Sequence, residues 1–162
     1  MPANTLVELS AIAEGMTLGA YAFDEFRGSS KAERKAPLAG ATVHTKLANG
    51  ADAKAAAKRA VIIGEYTKLV RDLINTPPSH LTPDSFTKRF AAAVKTLGGS
   101  GVLLKVTILN EKQLRAGGYG GISGVGQGSA NPPRLLHISY TPPKAKKKLA
   151  YVGKGITFDT GG

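Results

Sequence analysis

The longest helical pattern in the chain runs from Ala51 to about Ile74 and ends abruptly. Its larger apolar side chains recur at helical spacing and predict one apolar face, made of Ile62, Tyr66, Leu69, Val70 and Leu73. Asn75 and Thr76 are followed by two prolines, and proline cannot continue a helix and restricts the residue before it. The chain must therefore start a new element after this helix.

Shorter helical patterns lie on both sides of the long one. Residues 5–14 have helical spacing, and Gly15 is expected to end that helix. Thr82 and Pro83 are typical N-cap and first-turn residues of a helix that ends at two glycines. The predicted buried face of this helix is Phe86, Phe90, Ala93 and Leu97.

Segments rich in branched residues predict strands that alternate with helices. Strands are expected over residues 102–109, 134–140 and 148–152. Asn110 is expected to cap a short helix after the first strand, and residues 117–128 read as a glycine-rich loop. This order predicts an α/β fold with a mixed, mostly parallel sheet and helices on its faces.

The strand expected over 148–152 leads into a loop that carries a lysine and an aspartate. Lys154 and Asp159 lie among glycines at 153, 155, 161 and 162. Glycine permits positive φ and lets the backbone approach a ligand closely. Ligands of open α/β sheets bind beyond the carboxyl ends of strands. The position favours a functional site, although an ordinary ion pair on a loop would explain the two residues taken alone.

Composition limits the chemistry that the chain can support. It contains no cysteine, which excludes a disulfide framework, a thiol nucleophile and a cysteine-ligated zinc site. His44, His80 and His137 are far apart and lack the spacing of metal ligands. The glycine patterns also lack the dinucleotide-binding and phosphate-binding spacings.

The formal net charge of +11 raises nucleic acid or an acidic surface as a partner. The dense basic run Lys144–Lys148 contains no aromatic residue, so a solvated loop is the simpler interpretation. The first 20 residues lack the basic start and apolar core of a secretory signal. Since no apolar run approaches the roughly 20 residues of a membrane span, we expect a cytoplasmic protein with no membrane partner.

The residues from Val152 to Gly162 resemble the metal-binding signature of the leucine aminopeptidases, the cytosol aminopeptidase family. Other segments resemble the same family in the same order along residues 15–162. They are Gly19–Phe23, Arg71–Pro78 with Leu81–Pro83, Gly124–Ala130 and Pro133–Leu136.

The resemblance implies an enzyme that releases N-terminal amino acids, of the leucine type, from peptides. It implies that Lys154 binds one of two divalent metal ions through its amine, and that Asp159 bridges both. Manganese or zinc would polarise the scissile carbonyl and activate a water molecule. The resemblance also implies a homo-oligomer, usually a hexamer.

The chain departs from the family pattern at its end. The family's catalytic lysine, its bicarbonate-holding arginine and its other carboxylate ligands lie beyond the position of Gly162. No catalytic and no other cofactor-binding residue is therefore assigned here. The resemblance implies an internal piece, inactive alone, with residues 1–45 as the tail of an N-terminal domain plus a linker. Residues 46–162 would be the first half of the catalytic domain.

Two alternatives remain open from the sequence. One is a basic module that binds nucleic acid. The other is an inactive structural relative of the aminopeptidases.

Overall fold

The computed structural model describes residues 3–33, 40–97 and 103–158. These residues form the helices α1 (Leu6–Gly19), α2 (Ala51–Asn75), α3 (Pro83–Leu97), α4 (Glu111–Ala116) and α5 (Gly120–Gly126), the strands β1 (Leu104–Leu109) and β2 (Leu135–Tyr140), and a 3-10 turn at Ser29–Lys31. The chain divides into two compact units, one ending at Asn75 and the other beginning at Thr76. The predicted division at residues 45 and 46 concerns the domains of a longer enzyme and stays a prediction.

The first unit is built on the packing of α1 along α2. Thr5 caps α1, since its hydroxyl accepts from the Glu8 backbone N–H while the Glu8 carboxylate accepts from the Thr5 N–H. A small core forms where Leu9 of α1 meets Ala53 of α2 and Ala3. Apolar burial therefore joins the N-terminal parts of the two helices, and local capping fixes the start of α1.

The prediction that Gly15 ends α1 is wrong, because the helix continues to Gly19. Glycine inside a helix costs up to about 1 kcal/mol relative to alanine. Packing of the following turn outweighs that cost, since Thr17 lies directly against Gly64 of α2. The Thr17 hydroxyl also donates to the Ala13 carbonyl at 2.8 Å, within the same helix.

The long helix α2 is confirmed over its whole predicted length and ends at Asn75, but its buried face differs from the predicted stripe. Leu73 is buried, whereas Ile62 and Val70 are each more than two-fifths exposed. The other buried residues of α2 are small: Ala53, Ala60 and Gly64. Small residues let α1 approach closely, so the contact face is set by side-chain size as well as by hydrophobicity.

The second unit joins α3, α4 and α5 to a two-stranded sheet. Strands β1 and β2 pair antiparallel, with Leu104 opposite Tyr140 and Leu109 opposite Leu135. The predicted mixture of helices and strands is confirmed, whereas a parallel arrangement is absent from the described strands. Two short helices and a loop with two prolines connect β1 to β2 and return the chain in the opposite direction.

Two other predictions for this unit need correction. Residues 148–152 were expected to form a strand, but they have no regular structure, and Tyr151 and Val152 are more than nine-tenths exposed. Residues 117–128 were expected to be a loop, but α5 forms over seven of them. Gly126 packs against Pro133 so closely that an added Cβ would lie 2.7 Å from the proline ring.

The described helices include none with the length and apolar content needed to cross a bilayer.

Candidate metal-binding loop

The two predicted metal ligands lie on the segment that follows β2. Lys154 is exposed and lies in a stretch without regular structure, residues 149–156. Its ammonium group forms no hydrogen bond or ion pair with any described residue. Asp159 lies outside the described residues, so the structure does not place the two ligands together.

The glycines beside Lys154 do not have the conformation that the sequence suggested. Neither Gly153 nor Gly155 has positive φ; Gly118 is the one glycine with positive φ among those described. A Cβ on Gly153 would meet no atom within 4 Å. The backbone at Gly153 and Gly155 therefore has φ values that other residues could also adopt without strain.

Gly155 instead lies near α3, with room for a Cβ between them. A Cβ built on Gly155 would lie 3.7 Å from Cζ and 3.8 Å from Cε1 of Phe86. The Phe86 ring stacks in turn on Phe90, with ring centroids 6.1 Å apart and planes inclined by 29°. The residue after Lys154 thus lies near an aromatic pair of α3.

The start of α3 is fixed by capping and charge. The Thr82 hydroxyl accepts from the Ser85 backbone N–H at 3.3 Å, as expected for the predicted N-cap. Asp84 in the first turn pairs with Lys88 and, at 3.4 Å, with Arg134 just before β2. The hydrogen bond from Lys88 is the main cause that lowers the pKa of the Asp84 carboxyl, and Arg134 adds to it.

A second polar cluster, which sequence reasoning missed, lies at the C-terminal end of α2. The Tyr21 hydroxyl donates to the Asp72 carboxylate at 2.8 Å and accepts from the Asn75 amide at 3.0 Å. The Arg71 guanidinium covers the Tyr21 ring 4.0 Å from its centroid and donates to the Leu18 carbonyl. All of these residues except Leu18 lie in the two family-like segments 19–23 and 71–78, which was the only signal available in the sequence.

The donors fit a divalent metal in kind but not in number. An amine and a carboxylate are ligands that manganese and zinc both accept. Across the described ranges, no group of three or more histidine, aspartate or glutamate side chains could hold a metal ion. The exposed Lys154 amine is the donor that the structure places, and further ligands would have to surround it.

The basic run at residues 144–148 is exposed, with Lys144 in the left-handed region at φ 64°. It follows the turn after β2, as a solvated loop would. Binding to nucleic acid stays an untested alternative.

Comparison with known proteins identifies the family. The family model described as the catalytic domain of the cytosol aminopeptidase family matches residues 68–162. The chain belongs to the cytosol aminopeptidase family. The matched range contains both Lys154 and Asp159.

Curated relatives align with the whole chain. Proteins named "Probable cytosol aminopeptidase" from Streptomyces coelicolor and Streptomyces avermitilis are 45% and 48% identical over 100% of this chain. A protein of the same name from Mycobacterium tuberculosis is 45% identical over 98% of it. The chain spans about a third of the length of these relatives, from 31% to 33%.

Solved structures show the same relationship. A mutant of tomato leucine aminopeptidase matches with a TM-score of 0.76 and 28% identity over 96% of this chain and 30% of that protein. The bottromycin maturation enzyme BotP, in complex with manganese, matches with a TM-score of 0.69 and 33% identity over 85% of this chain and 26% of BotP. Both matches support the mixed helix and strand architecture of this chain.

Proposed function

We propose that this chain forms part of the active site of a metal-dependent aminopeptidase that releases N-terminal residues, of the leucine type, from peptides. The observation that carries the proposal is the match of the family's catalytic-domain model to residues 68–162, a range that includes Lys154 and Asp159. The names of the relatives and the manganese bound to BotP support the same reading.

Lys154 and Asp159 are the residues that would hold the metal. An amine binds a cation through its lone pair, so Lys154 would act in its neutral form, which a neighbouring cation favours. Lys154 is exposed and forms no hydrogen bond or ion pair with any described residue, which leaves its amine available for that role. The Asp159 carboxylate has two oxygens and would bridge two ions, which manganese or zinc could provide.

When bound, two divalent ions would act as a Lewis acid for the scissile carbonyl and as a source of an activated water. The chain's own contribution is to supply one nitrogen and one carboxylate ligand from a single loop. These two ligands are too few to hold two ions, because a tetrahedral catalytic site typically uses three protein ligands for a single ion. We therefore propose that residues 1–162 alone are inactive.

The proposal is tested with the full-length product of the gene that encodes this sequence. Leucine p-nitroanilide hydrolysis is measured with manganese, after chelation, and after manganese is restored. Activity that disappears on chelation and returns with the metal is expected. The 162-residue chain, assayed alongside, is expected to show none.

Substitution of the two proposed metal ligands tests whether the activity depends on this loop. Lys154→Ala and Asp159→Asn should each lower kcat by at least about 100-fold, the scale for losing a group that stabilises the transition state. Lys148→Ala is the matched control, since Lys148 is also exposed and lies six positions earlier on the same segment. Turnover that persists in a chelated sample, or equal activity of all three variants, would overturn the proposal.

Assembly and location follow from the family in the same way. We propose a cytoplasmic homo-oligomer, a hexamer, that acts on peptides. Light scattering on the purified full-length product would give its subunit number, and a trimer, dimer or monomer would contradict this part of the proposal.

A further inference from the structure

We propose that the lysine-rich loop after β2, together with Tyr140, forms a surface that binds single-stranded nucleic acid. The name basic loop is used here for the segment that carries Lys144, Lys146, Lys147 and Lys148. The proposed peptidase chemistry does not use these residues. The inference therefore goes beyond the proposed function and does not depend on it.

The positive charge of the chain is concentrated in its second unit. Residues 76–162 contain 12 lysines and arginines against 3 acidic residues, whereas residues 1–75 contain 10 against 8. No aspartate or glutamate lies between Glu111 and Asp159, and the basic loop falls within that interval. An approaching polyanion would therefore meet no repelling carboxylate from this stretch of the chain.

The four ammonium groups of the basic loop are available to an external anion. All four lysines are exposed, and none of them forms an ion pair with a described residue. Four cations within five positions repel one another, and phosphate groups would remove that repulsion. Lysines that neutralise phosphates also release the counterions held by the nucleic acid, which favours binding.

Lys144 has a backbone conformation that is unusual for lysine. Its φ is 64°, in the left-handed region, and no other non-glycine residue among those described has positive φ. The Ala145 N–H donates to the Pro142 carbonyl at 3.3 Å and closes a turn with Pro143 and Lys144 at its centre. Proline followed by a residue with positive φ is typical of a type II turn, which usually has glycine or asparagine there. Lysine at this position favours a role for its charge.

Tyr140 places an exposed aromatic ring where the basic loop begins. It is the last residue of β2 and pairs with Leu104, and the next N–H, of Thr141, donates to the Leu103 carbonyl at 3.1 Å. The Tyr140 side chain is 65% exposed and stacks on no described aromatic ring. The sheet thus fixes the backbone at an aromatic residue that lies four positions before Lys144.

Lysines beside an exposed aromatic ring suit a single strand better than a duplex. The unpaired bases of a single strand can stack on an aromatic side chain while lysines bind the phosphates. Proteins that read a duplex usually place a helix or a β-ribbon in the major groove, whereas the basic loop is irregular. Stacking and phosphate contacts distinguish bases poorly, so DNA and RNA strands should bind alike.

Binding is measured on the full-length gene product by fluorescence anisotropy of labelled oligo(dT) and oligo(U). Strands of about 20 nucleotides exceed the usual site of a single-strand binding fold. We expect a dissociation constant of about 1–100 μM near physiological salt, the range of non-specific nucleic-acid binding, and tighter binding at lower salt. No binding to either strand at low salt would refute the proposal.

Replacement of all four loop lysines by glutamine should weaken binding at least about tenfold. Each phosphate contact on a single strand contributes about 0.7 to the slope of log K against log salt, so this variant should lower the slope by up to about 3. The matched control removes the same charge from four exposed lysines of the first unit. These are Lys31, Lys46, Lys54 and Lys58. The control should stay within about twofold of wild type, and an equal loss in both variants would contradict a site at the loop.

Tyr140→Leu tests the contribution of stacking. It should weaken binding of both strands about fivefold or more, the lower end of the effect of stacking one base. Tyr140→Phe keeps the ring and should bind as wild type does. Heparin is a polyanion without bases, so its affinity should fall in the four-lysine variant and not in Tyr140→Leu.

Three results would show a general anion-binding surface and refute the assignment to single strands. They are unchanged affinity of Tyr140→Leu, a duplex that binds as tightly as the single strand, and oligoglutamate that displaces the strand at an equal concentration of charges. Leucine p-nitroanilide hydrolysis by the four-lysine variant should equal that of wild type, so a failure of either proposal is seen separately. If circular dichroism shows that this variant does not fold, Lys146→Gln combined with Lys147→Gln replaces it, and unchanged affinity of that double variant would refute the proposal.

Discussion

Two helical glycines, Gly64 and Gly15, have opposite surroundings and should respond oppositely to alanine. A Cβ on Gly64 would lie 1.9 Å from the Thr17 methyl group, so one helix would have to move. Gly64→Ala should therefore lower the free energy of unfolding by about 1–3 kcal/mol, the usual cost of overpacking. Urea denaturation followed by circular dichroism measures this change.

Gly15→Ala is the control for Gly64→Ala, because it makes the same change at a helical glycine. Gly15 is exposed inside α1, and a Cβ there would meet no atom within 4 Å. Alanine should raise the free energy of unfolding by about 0.5–1 kcal/mol, because it loses less backbone entropy than glycine. Equal effects of the two substitutions would contradict the described packing of α1 on α2.

Tyr21 should make the stability of the chain sensitive to alkaline pH. Burial raises the pKa of the Tyr21 phenol from its ordinary 10.0; the Asn75 hydrogen bond lowers it, and the Asp72 hydrogen bond raises it. Because the folded pKa exceeds the unfolded one, the stabilisation is complete below pH 10 and is lost as pH rises through the folded pKa. Tyr21→Phe should therefore make the free energy of unfolding fall less steeply with rising pH in this range.

The measurement is urea denaturation between pH 8 and pH 11 for the wild-type and Tyr21→Phe chains. At pH 8 the variant should already be less stable by about 1 kcal/mol, because the Asp72 and Asn75 hydrogen bonds are lost. Tyr151→Phe is the control, since Tyr151 is 94% exposed. A wild-type alkaline slope that Tyr21→Phe leaves unchanged would show that Tyr21 does not cause it.

Site residues could be predicted from the sequence where they belong to a short continuous signature. Lys154 and Asp159 could be selected because a run of eleven residues matches a family pattern. The nearness of Gly155 to Phe86 could not be predicted, because the two residues are far apart in the sequence and no periodicity links them. The Tyr21 cluster, formed by residues about 50 positions apart, was hidden for the same reason.

At the scale of elements, the ion pair between α3 and the segment before β2 should contribute to stability. The Arg134 side chain is only 18% exposed and pairs with Asp84 while donating to two carbonyls. Arg134→Gln should lower the free energy of unfolding by about 1 kcal/mol or somewhat more, because partly buried acceptors lose their donor. Chemical denaturation at pH 7 measures the change.

Lys88→Gln is the comparison for Arg134→Gln, because it removes the exposed partner of Asp84 and leaves the tertiary ion pair with Arg134 in place. Lys88 is 73% exposed and pairs with Asp84 within the helix, so its loss should cost at most about 0.5 kcal/mol. The lowered pKa of Asp84 means that its contribution is present above the unfolded pKa and is lost as pH falls through the folded pKa. The difference in the free energy of unfolding between wild type and Arg134→Gln should therefore become smaller at pH values well below 3.8. A difference that does not change with pH would contradict a stabilising ion pair between Arg134 and Asp84.

Elements with local start and stop signals were predictable, and elements that depend on partners were not. The proline stop of α2, the Thr82 cap of α3 and the Asn110 cap of α4 act within a few residues. Residues 148–152 have strand-forming side chains, yet a strand also needs a hydrogen-bonding neighbour, which the described residues do not supply. Helix α5 forms despite its glycines, and close packing of Gly126 on Pro133 accompanies it.

At the scale of the whole molecule, the chain corresponds to about a third of each curated relative that it matches. The fold class and the family were predictable from sequence, because helix and strand patterns and signature segments extend over most of the chain. The antiparallel pairing of β1 and β2 was not, because the direction of a strand depends on how its connection packs. The count of metal ligands likewise depends on residues that are distant in sequence.

The central claim is that Lys154 and Asp159 are ligands of a metal centre, and manganese binding tests it most directly. Electron paramagnetic resonance of free manganese is used to titrate the full-length gene product and its Lys154→Ala, Asp159→Asn and Lys148→Ala variants. We expect two ions per chain in the wild type and in Lys148→Ala, and weakened binding, with at least one ion lost, in the other two variants. Unchanged stoichiometry and affinity in both Lys154→Ala and Asp159→Asn would contradict the claim.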